Sequence, residues 1–392
     1  MKVLFINCDC GCYSTGRIVS DIASKLIKSG NEVLACYGRD YKETGVPTYK
    51  IGTKVGVFFH ALLSRIFDSC GLHSKHATKK LIKKIIEFSP DLIHLHNLHG
   101  YYINYRLLFK FLKEYNRPIV WTLHDCWAFT GHCAYFDFAE CKKWKHNCSK
   151  CPQKHSYPKS FLFDMSARNF LMKKDAFLGV SNMTIVTPSK WLADLVKQSF
   201  LKEYKVQVIN NGVDTNVFKK NYKAEFKTKN NLLSKKIILG VASPWSKRKG
   251  FDDFLALSSF ISDEYSVVMI GIDKKQSKQL PNNVIGIKKT TNINELVDIY
   301  SSSYVLLNTT YEDNYPTVNL EAQACGCPVI SYETGGSVES CVPSQIVSKK
   351  AYRNILTILE SGALSLCNIS YDIDTMTNNY FALFCSSLGD RE

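Results

Sequence analysis

Three adjacent cations, Lys247, Arg248 and Lys249, stand between an apolar run and a helical one, just ahead of Gly250. Placed there they can neutralise a diphosphate whose charge grows as a leaving group departs; a solvated basic loop is the plain alternative. A second group runs from Tyr311 to Pro328. Asp313 caps the start of a helix that Pro316 opens, Glu321 lies inside that helix, and Gly326 ends it. Together with Thr334–Glu339, these residues offer carboxylates and small polar groups to a sugar or a ribose. A third group is His124-Asp125 at the exit of an apolar strand, where open α/β sheets bind ligands. The turn from Gly11 to Gly16 precedes a helix, so its backbone N–H groups can approach an anion, although its spacing is not that of a G-x-G-x-x-G loop. Asn211-Gly212 reads as a hairpin turn or a hinge.

Cysteines form a separate cluster. Cys133, Cys141, Cys148 and Cys151 fall within one stretch whose last pair is spaced as in half a zinc knuckle, and the stretch lacks the apolar density to fold alone. A structural zinc is one expectation; reduced thiols in an insertion loop, or a redox pair, are the others. Cys126, His132 and His146 are further ligand candidates, whereas Cys8, Cys10 and Cys12 read as loop packing. No catalytic metal is expected.

The elements that must position these groups alternate between strand and helix. Val3–Ile6, Glu32–Cys36, Leu92–Leu95, Ile119–Leu123, Ile185–Thr187 and Val206–Ile209 read as short apolar strands. Gly16–Lys28, Lys79–Phe88 and Tyr105–Glu114 carry helical periodicity between them. After a polar, linker-like segment, Asn221–Lys235, the pattern resumes with strands at Ile237–Val241, Ser266–Ile270, Val305–Asn308 and Val329–Ser331. Helices are predicted between them at Phe251–Phe260, Ile293–Ser301 and Thr317–Cys325. Short apolar strands separated by helices predict parallel sheets covered on both faces.

The 392 residues are 45% hydrophobic and 22% charged, which excludes a disordered, collagenous or coiled-coil chain. Lys and Arg outnumber Asp and Glu by 50 to 35, a net charge of +15 that favours acidic partners. Nucleic acid is one such partner, and with the Cys cluster it raises a zinc-containing nucleic-acid-binding protein as an alternative. The cations are dispersed instead of gathered near aromatics, so nucleic acid is not the expected partner. Met1–Asn7 reads as a buried strand and not an export signal, which predicts a cytoplasmic protein with its fifteen cysteines mostly reduced.

Taken together, these segments resemble the GT4-type family of retaining glycosyltransferases, in the branch that assembles colanic acid, capsule and exopolysaccharide. The resemblance is carried by Ser14-Thr15-Gly16-Arg17, Ile93–Gly100, His124-Asp125, Asn211–Asp214, Lys249-Gly250 and the Asp313/Glu321 segment. It implies an α/β GT-B fold, two facing Rossmann-like parallel-sheet domains with the active site in the cleft between them. The domains implied are 1–205 on the acceptor side, with a Cys-rich insertion at 126–155, and 206–372 for the nucleotide sugar. A segment 373–392 would cross back to the first.

By the same resemblance, Glu321 matches the second glutamate of an E-x7-E motif that grips the nucleotide ribose, and Asp313 stands where the first belongs, one methylene shorter. Lys249 matches the lysine on the donor diphosphate. The arginine usual about six residues earlier is replaced by Ser243, with Lys247 or Arg248 as candidate substitutes. Gly16 falls on the turn near the donor phosphates, Asn319 joins the donor-binding set, and His124 matches a histidine near the donor hexose. His124, Asp313 and Glu321 are thus the catalytic candidates. The donor implied is a UDP- or GDP-sugar, and the acceptor a growing glycan on a polyprenyl diphosphate. An anionic inner-membrane surface would then be met by Lys75, Lys79, Lys80, Lys83 and Lys84 beside the apolar Val57–Phe67 stretch. A GT-B-fold epimerase or hydrolase of the nucleotide sugar is the nearest alternative activity.

Overall fold

The computed structural model describes residues 1–368 and 372–389, so the last three residues of the expected segment 373–392 lie outside the described residues. It divides into two units, one of residues 1–210 with the chain from Met376 onward, the other of Asn211–Thr375.

The first unit is a parallel sheet in the order β3-β2-β1-β4-β5-β6-β7. Its strands are β1 (Lys2–Asn7), β2 (Glu32–Tyr37), β3 (Thr48–Lys50), β4 (Leu92–Leu95), β5 (Ile119–Thr122), β6 (Met183–Thr187) and β7 (Lys205–Val208). Val3 to Ile6 are each completely buried, as a strand covered on both faces requires. The connecting helices are α1 (Tyr13–Lys28), α2 (Lys54–Phe67), α3 (Lys75–Phe88), α4 (Tyr105–Tyr115), α5 (Ser166–Phe177) and α6 (Lys190–Lys197). One element departs from its expected place. Gly16 lies not in the turn but in the first part of α1, where a Cβ would come within 3.2 Å of the Asp9–Cys10 backbone. The turn itself is closed by Gly11, at φ +71, donating to Gly16 O at 2.9 Å.

The second unit holds α7 (Glu225–Lys229), β8 (Lys236–Val241), α8 (Phe251–Ser258), β9 (Tyr265–Ile270), β10 (Val284–Ile287) and α9 (Ile293–Ser302). β11 (Val305–Asn308), α10 (Thr317–Ala324), β12 (Val329–Tyr332), β13 (Ile346–Val347) and α11 (Tyr352–Ser361) complete it. Its parallel sheet runs β10-β9-β8-β11-β12-β13 with a hydrophobic layer on each face. The polar segment Asn221–Lys235 is not a free linker. Phe226 and Leu232 are buried in this core, and the Asp298 carboxylate accepts from the backbone N–H groups of Lys223 and Phe226, each at 2.9 Å. Two apolar anchors and one capped turn are enough to dock a stretch whose composition reads as exposed. The last helix, α12 (Ile373–Gly389), packs Tyr380 and Phe384 on the His94 ring of the first unit's sheet, at centroid distances of 5.2 and 5.3 Å.

Candidate functional site

Two groups of polar side chains gather at the carboxyl ends of strands, one in each unit. In the second unit, β8 runs into a turn of 3-10 helix at Lys247–Lys249, capped by Ser246, whose hydroxyl accepts from Lys249 N at 3.3 Å. Gly250 then adopts φ +73 against the end of β11, where a Cβ would sit 2.3 Å from Thr309 O, so glycine is needed there. This packing sets the three cations. Lys249 Nζ forms an ion pair with Asp313 Oδ2, Arg248 Nη1 donates to Glu312 O at 2.6 Å, and Lys247 is exposed. Burial would raise the Asp313 carboxyl, but Lys249 first and Arg248 after it hold it below the usual carboxylate range. Ser243, standing where the resemblance places an arginine, is exposed at the end of the strand.

Asp313 is not the helix cap expected from the sequence. The N-cap of α10 is Pro316, which has no side-chain cap, and Asp313 is turned to Lys249 instead. Its backbone is clasped by the Thr334–Gly336 turn: Gly336 N donates to Asp313 O at 3.1 Å, and a Cβ on Gly335 would lie 2.1 Å from that same oxygen. The ion pair pulls Asp313 away from the cap because a full opposite charge outweighs a backbone N–H dipole. Glu321 is buried inside α10, where its Oε2 accepts from the Tyr300 hydroxyl at 3.1 Å. Asp313 thus bonds to a cationic group and Glu321 to a phenolic one. Asn319 is completely buried, accepting from Asn308 Nδ2 and donating to Ser340 Oγ, each at 2.9 Å, so it ties β11 and the turn after β12 to α10. Tyr300 carries no motif and was not foreseen; its only signal is an apolar-face position on α9.

In the first unit the group is built from histidines. His124 follows β5 and His96 follows β4; adjacency of those strands brings His96 Nδ1 to 2.9 Å from His124 Nε2, with the rings stacked. His94 lies beneath, its Nε2 2.8 Å from Thr122 Oγ1, which in turn is 3.1 Å from the Tyr380 hydroxyl of α12. Burial depresses all three imidazoles, His124 to about 4 and the other two well down, so each is neutral near pH 7. Asp125 is 2.8 Å from His99 Nε2, and its Oδ1 accepts from Trp127 N at 2.9 Å. Burial pushes that carboxyl up, but His99, and behind it the Trp127 N–H and His124, together leave it low. His99 Nδ1 is 2.8 Å from the Tyr157 hydroxyl, a partner just beyond the cysteine-rich insertion that no sequence signal marks.

That insertion does gather its cysteines. Cys133, Cys141, Cys148 and Cys151 line one small cavity with Phe136 and Trp144. Cys133 and Cys151 are hydrogen-bonded to each other, which lowers Cys151 to about 7 and raises Cys133, while Cys148 Sγ accepts from Gly131 N at 3.2 Å. Yet among the described residues no three His, Cys, Asp or Glu side chains are set to hold a metal ion. Two of the thiols share a hydrogen bond and a third accepts from a backbone N–H, while Phe129, Phe136 and Trp144, with ring centroids 4.8 to 6.3 Å apart, supply the burial. All fifteen cysteines are free thiols.

Residues 15–217 match the family model Glycosyltransferase Family 4, and residues 222–350 match Glycosyl transferases group 1. The chain is 27% identical over 258 residues to WcaC of Escherichia coli K12, named as a colanic acid biosynthesis glycosyl transferase. That match covers 64% of this chain and 62% of WcaC, so the chain spans less than two thirds of that relative. Sucrose-phosphate synthase from Thermosynechococcus elongatus is similar in structure, with a TM-score of 0.70 at 14% identity over 99% of both chains. Anabaena HepE in complex with UDP is similar at a TM-score of 0.66 and 15% identity, over 98% of this chain and all of that one. At such identities the likeness carries the fold, which is the α/β GT-B fold of two Rossmann-like parallel-sheet units. With that fold, and with more than half of its residues matching a single family model, the chain belongs to glycosyltransferase family 4.

Proposed function

We propose that this chain transfers a hexose or related sugar, with retention, from a nucleoside-diphosphate sugar to a growing glycan on a polyprenyl diphosphate in capsule or exopolysaccharide assembly. The observation that carries the reading is the cation turn at the end of β8, with Lys249 held beside Asp313, in a chain of this family. Support for the donor comes from HepE, solved with UDP and also with UDP-glucose, and support for the pathway class from the name of WcaC.

In this reading the bond between the anomeric carbon and the phosphate oxygen breaks, leaving an oxocarbenium-like sugar and a nucleoside diphosphate anion. Lys249, with Lys247 or Arg248, stabilises the charge as it develops, the task a metal performs in other transferases. The acceptor hydroxyl attacks on the same face, and its proton passes to the departing phosphate, so no protein nucleophile is needed. Glu321 holds the ribose. His124, neutral, offers the hexose a hydrogen bond without a charge. Gly16 allows close approach of backbone to phosphate, and Asn319 keeps α10 in place for Glu321.

Thermal stability against UDP, GDP, ADP, CMP and their sugars tests the donor: a ligand at 100 times its dissociation constant adds about 2.7 kcal/mol. A shift with one nucleoside diphosphate, weakened in Glu321→Ala, is expected. Product analysis then separates activities. Transfer to a polyprenyl-linked glycan with retained anomeric configuration is expected, whereas isomerised donor, or sugar released to water at the same rate with and without acceptor, overturns the transferase reading.

A further inference from the structure

Beneath His124, two histidines each leave one ring nitrogen without a use. His94 and His96 are 0 and 1% exposed, with ring centroids 4.1 Å apart. Neither His94 Nδ1 nor His96 Nε2 has a hydrogen-bond partner among the described residues. The other nitrogen of each ring does: His94 Nε2 lies 2.8 Å from Thr122 Oγ1, and His96 Nδ1 lies 2.9 Å from His124 Nε2. Phe5 packs on both rings, and Tyr380 and Phe384 pack on His94. Burial in these surroundings keeps all three imidazoles neutral near pH 7.

A neutral imidazole carries one proton, and the surrounding bonds assign it to one nitrogen or the other. A buried N–H with no acceptor is a rarer and costlier orphan than a bare lone pair. The proton of His96 therefore belongs on Nδ1, where His124 Nε2 accepts it, and the unpartnered Nε2 keeps only its lone pair. That choice passes along the bond. With Nε2 used as an acceptor, a neutral His124 must carry its own proton on Nδ1. The reverse arrangement, His124 donating from Nε2, forms the same bond but strands the His96 proton on a nitrogen that has nothing to give it to. His94 follows the same rule and donates from Nε2 to Thr122.

We infer that His96 is a positioning residue that fixes His124 as a hydrogen-bond donor through Nδ1 and denies it the part of a general base. A ligand group meeting Nδ1 must then offer a lone pair, as a sugar oxygen does. Nδ1 has no lone pair with which to take a proton from an acceptor hydroxyl, and the lone pair of Nε2 is already spent on His96. The inference deepens the transferase reading and rests on it for the identity of the ligand. In that reading His124 holds an oxygen of the hexose, and the acceptor's proton leaves with the phosphate. The place of the proton on His124 needs no substrate, since it is set by His96 alone.

The test is a proton–nitrogen NMR correlation spectrum of the full chain carrying isotope-labelled histidine, recorded near pH 7 without substrate. The His124 signals are those missing from His124→Asn. In the wild type the proton of His124 is expected on Nδ1. In His96→Leu the donor is gone, so His124 should shift toward the Nε2–H form and kcat for sugar transfer should fall about tenfold. His96→Gln, whose amide can still donate, should keep the Nδ1–H form and most of the rate. A proton on Nε2 of His124 in the wild type overturns the inference. So does His96→Leu with an unchanged tautomer, or a folded His96→Gln that keeps the Nδ1–H form and is as slow as His96→Leu. Should His96→Leu not fold, the wild-type and His96→Gln spectra still decide. Because no substrate is present, the spectrum decides the tautomer even where no nucleoside diphosphate shifts the melting temperature, the result that indicts the transferase reading alone.

Discussion

The group around His124 and the group around Lys249 each gather at the carboxyl end of a strand in a parallel sheet, yet they solve opposite electrostatic problems. At the end of β5 the imidazoles of His94, His96 and His124 are buried and stripped of charge, and His124 and His96 hold each other as neutral rings 2.9 Å apart. At the end of β8 the charges are kept, because Lys249 and Asp313 neutralise each other at a half-open position. Burial without a counter-ion removes charge, whereas burial with one preserves it. A neutral site is suited to sugar hydroxyls and a cationic one to phosphates, so in the proposed function the two halves of a sugar nucleotide meet different chemistry.

The sharpest way to break this contrast is to remove the cation. Lys249→Ala should lower the rate of sugar transfer roughly a hundredfold or more, as loss of a group aimed at developing charge does. Lys249→Arg should restore part of it. If Lys249→Ala changes affinity for the donor and leaves kcat untouched, the lysine binds the ground state and the assignment fails. Removing the neutral ring should cost less: His124→Ala is expected to slow transfer by about tenfold, the loss of one to two hydrogen bonds. His96→Gln, which can still bond His124, should recover most of that rate, whereas His96→Leu should not, a split that simple packing would not produce.

Acid unfolding sharpens the comparison further. The folded pKa of His124, about 4, lies below its ordinary value of about 6.5. The unfolded chain then binds the proton first, so the melting temperature should fall as pH drops through that interval and level off below it. His124→Asn should flatten part of the slope. Asp313 acts in the same direction at lower pH: its lowered pKa contributes stability that is present above about 4, the ordinary carboxylate value, and is lost only under stronger acid. In Lys249→Ala the buried carboxyl loses its main partner and its pKa rises, so this acid-dependent loss of stability should shrink. This is the smallest effect, because the pair is partly exposed and screened. Titration of Asp313 by NMR checks it directly.

Much of the scaffold is legible because a strand buried on both faces must be apolar throughout and a helix covering it must repeat at 3.6 residues. β4 and β11 fall on the residues that pattern marks, and α9 and α10 within one residue of them. The cations at Lys247–Lys249 are legible for a similar reason, since their place depends only on the strand before and the helix after. His96 with His124, and Lys249 with Asp313, are pairings 28 and 64 residues apart along the chain, and only strand order brings them together. Helix α2 shows the limit most plainly. Its apolar run is visible in the sequence, but which way the run points depends on the hydrogen bonds of His60 to Gly71 and Ser74.

By itself the sequence determined the alternation of strand and helix, the family likeness, the excess of positive charge and the chemistry of each candidate side chain. These follow from local periodicity and from residue type, which travel with the chain. Tertiary structure alone decided that Asp313 serves Lys249 instead of capping α10, and that Cys133, Cys141, Cys148 and Cys151 line one cavity. It also decided that His124 is neutral and that the phenylalanines of α2 face outward. Each of these depends on burial and on partners distant in sequence, and both exist only once the sheets have formed.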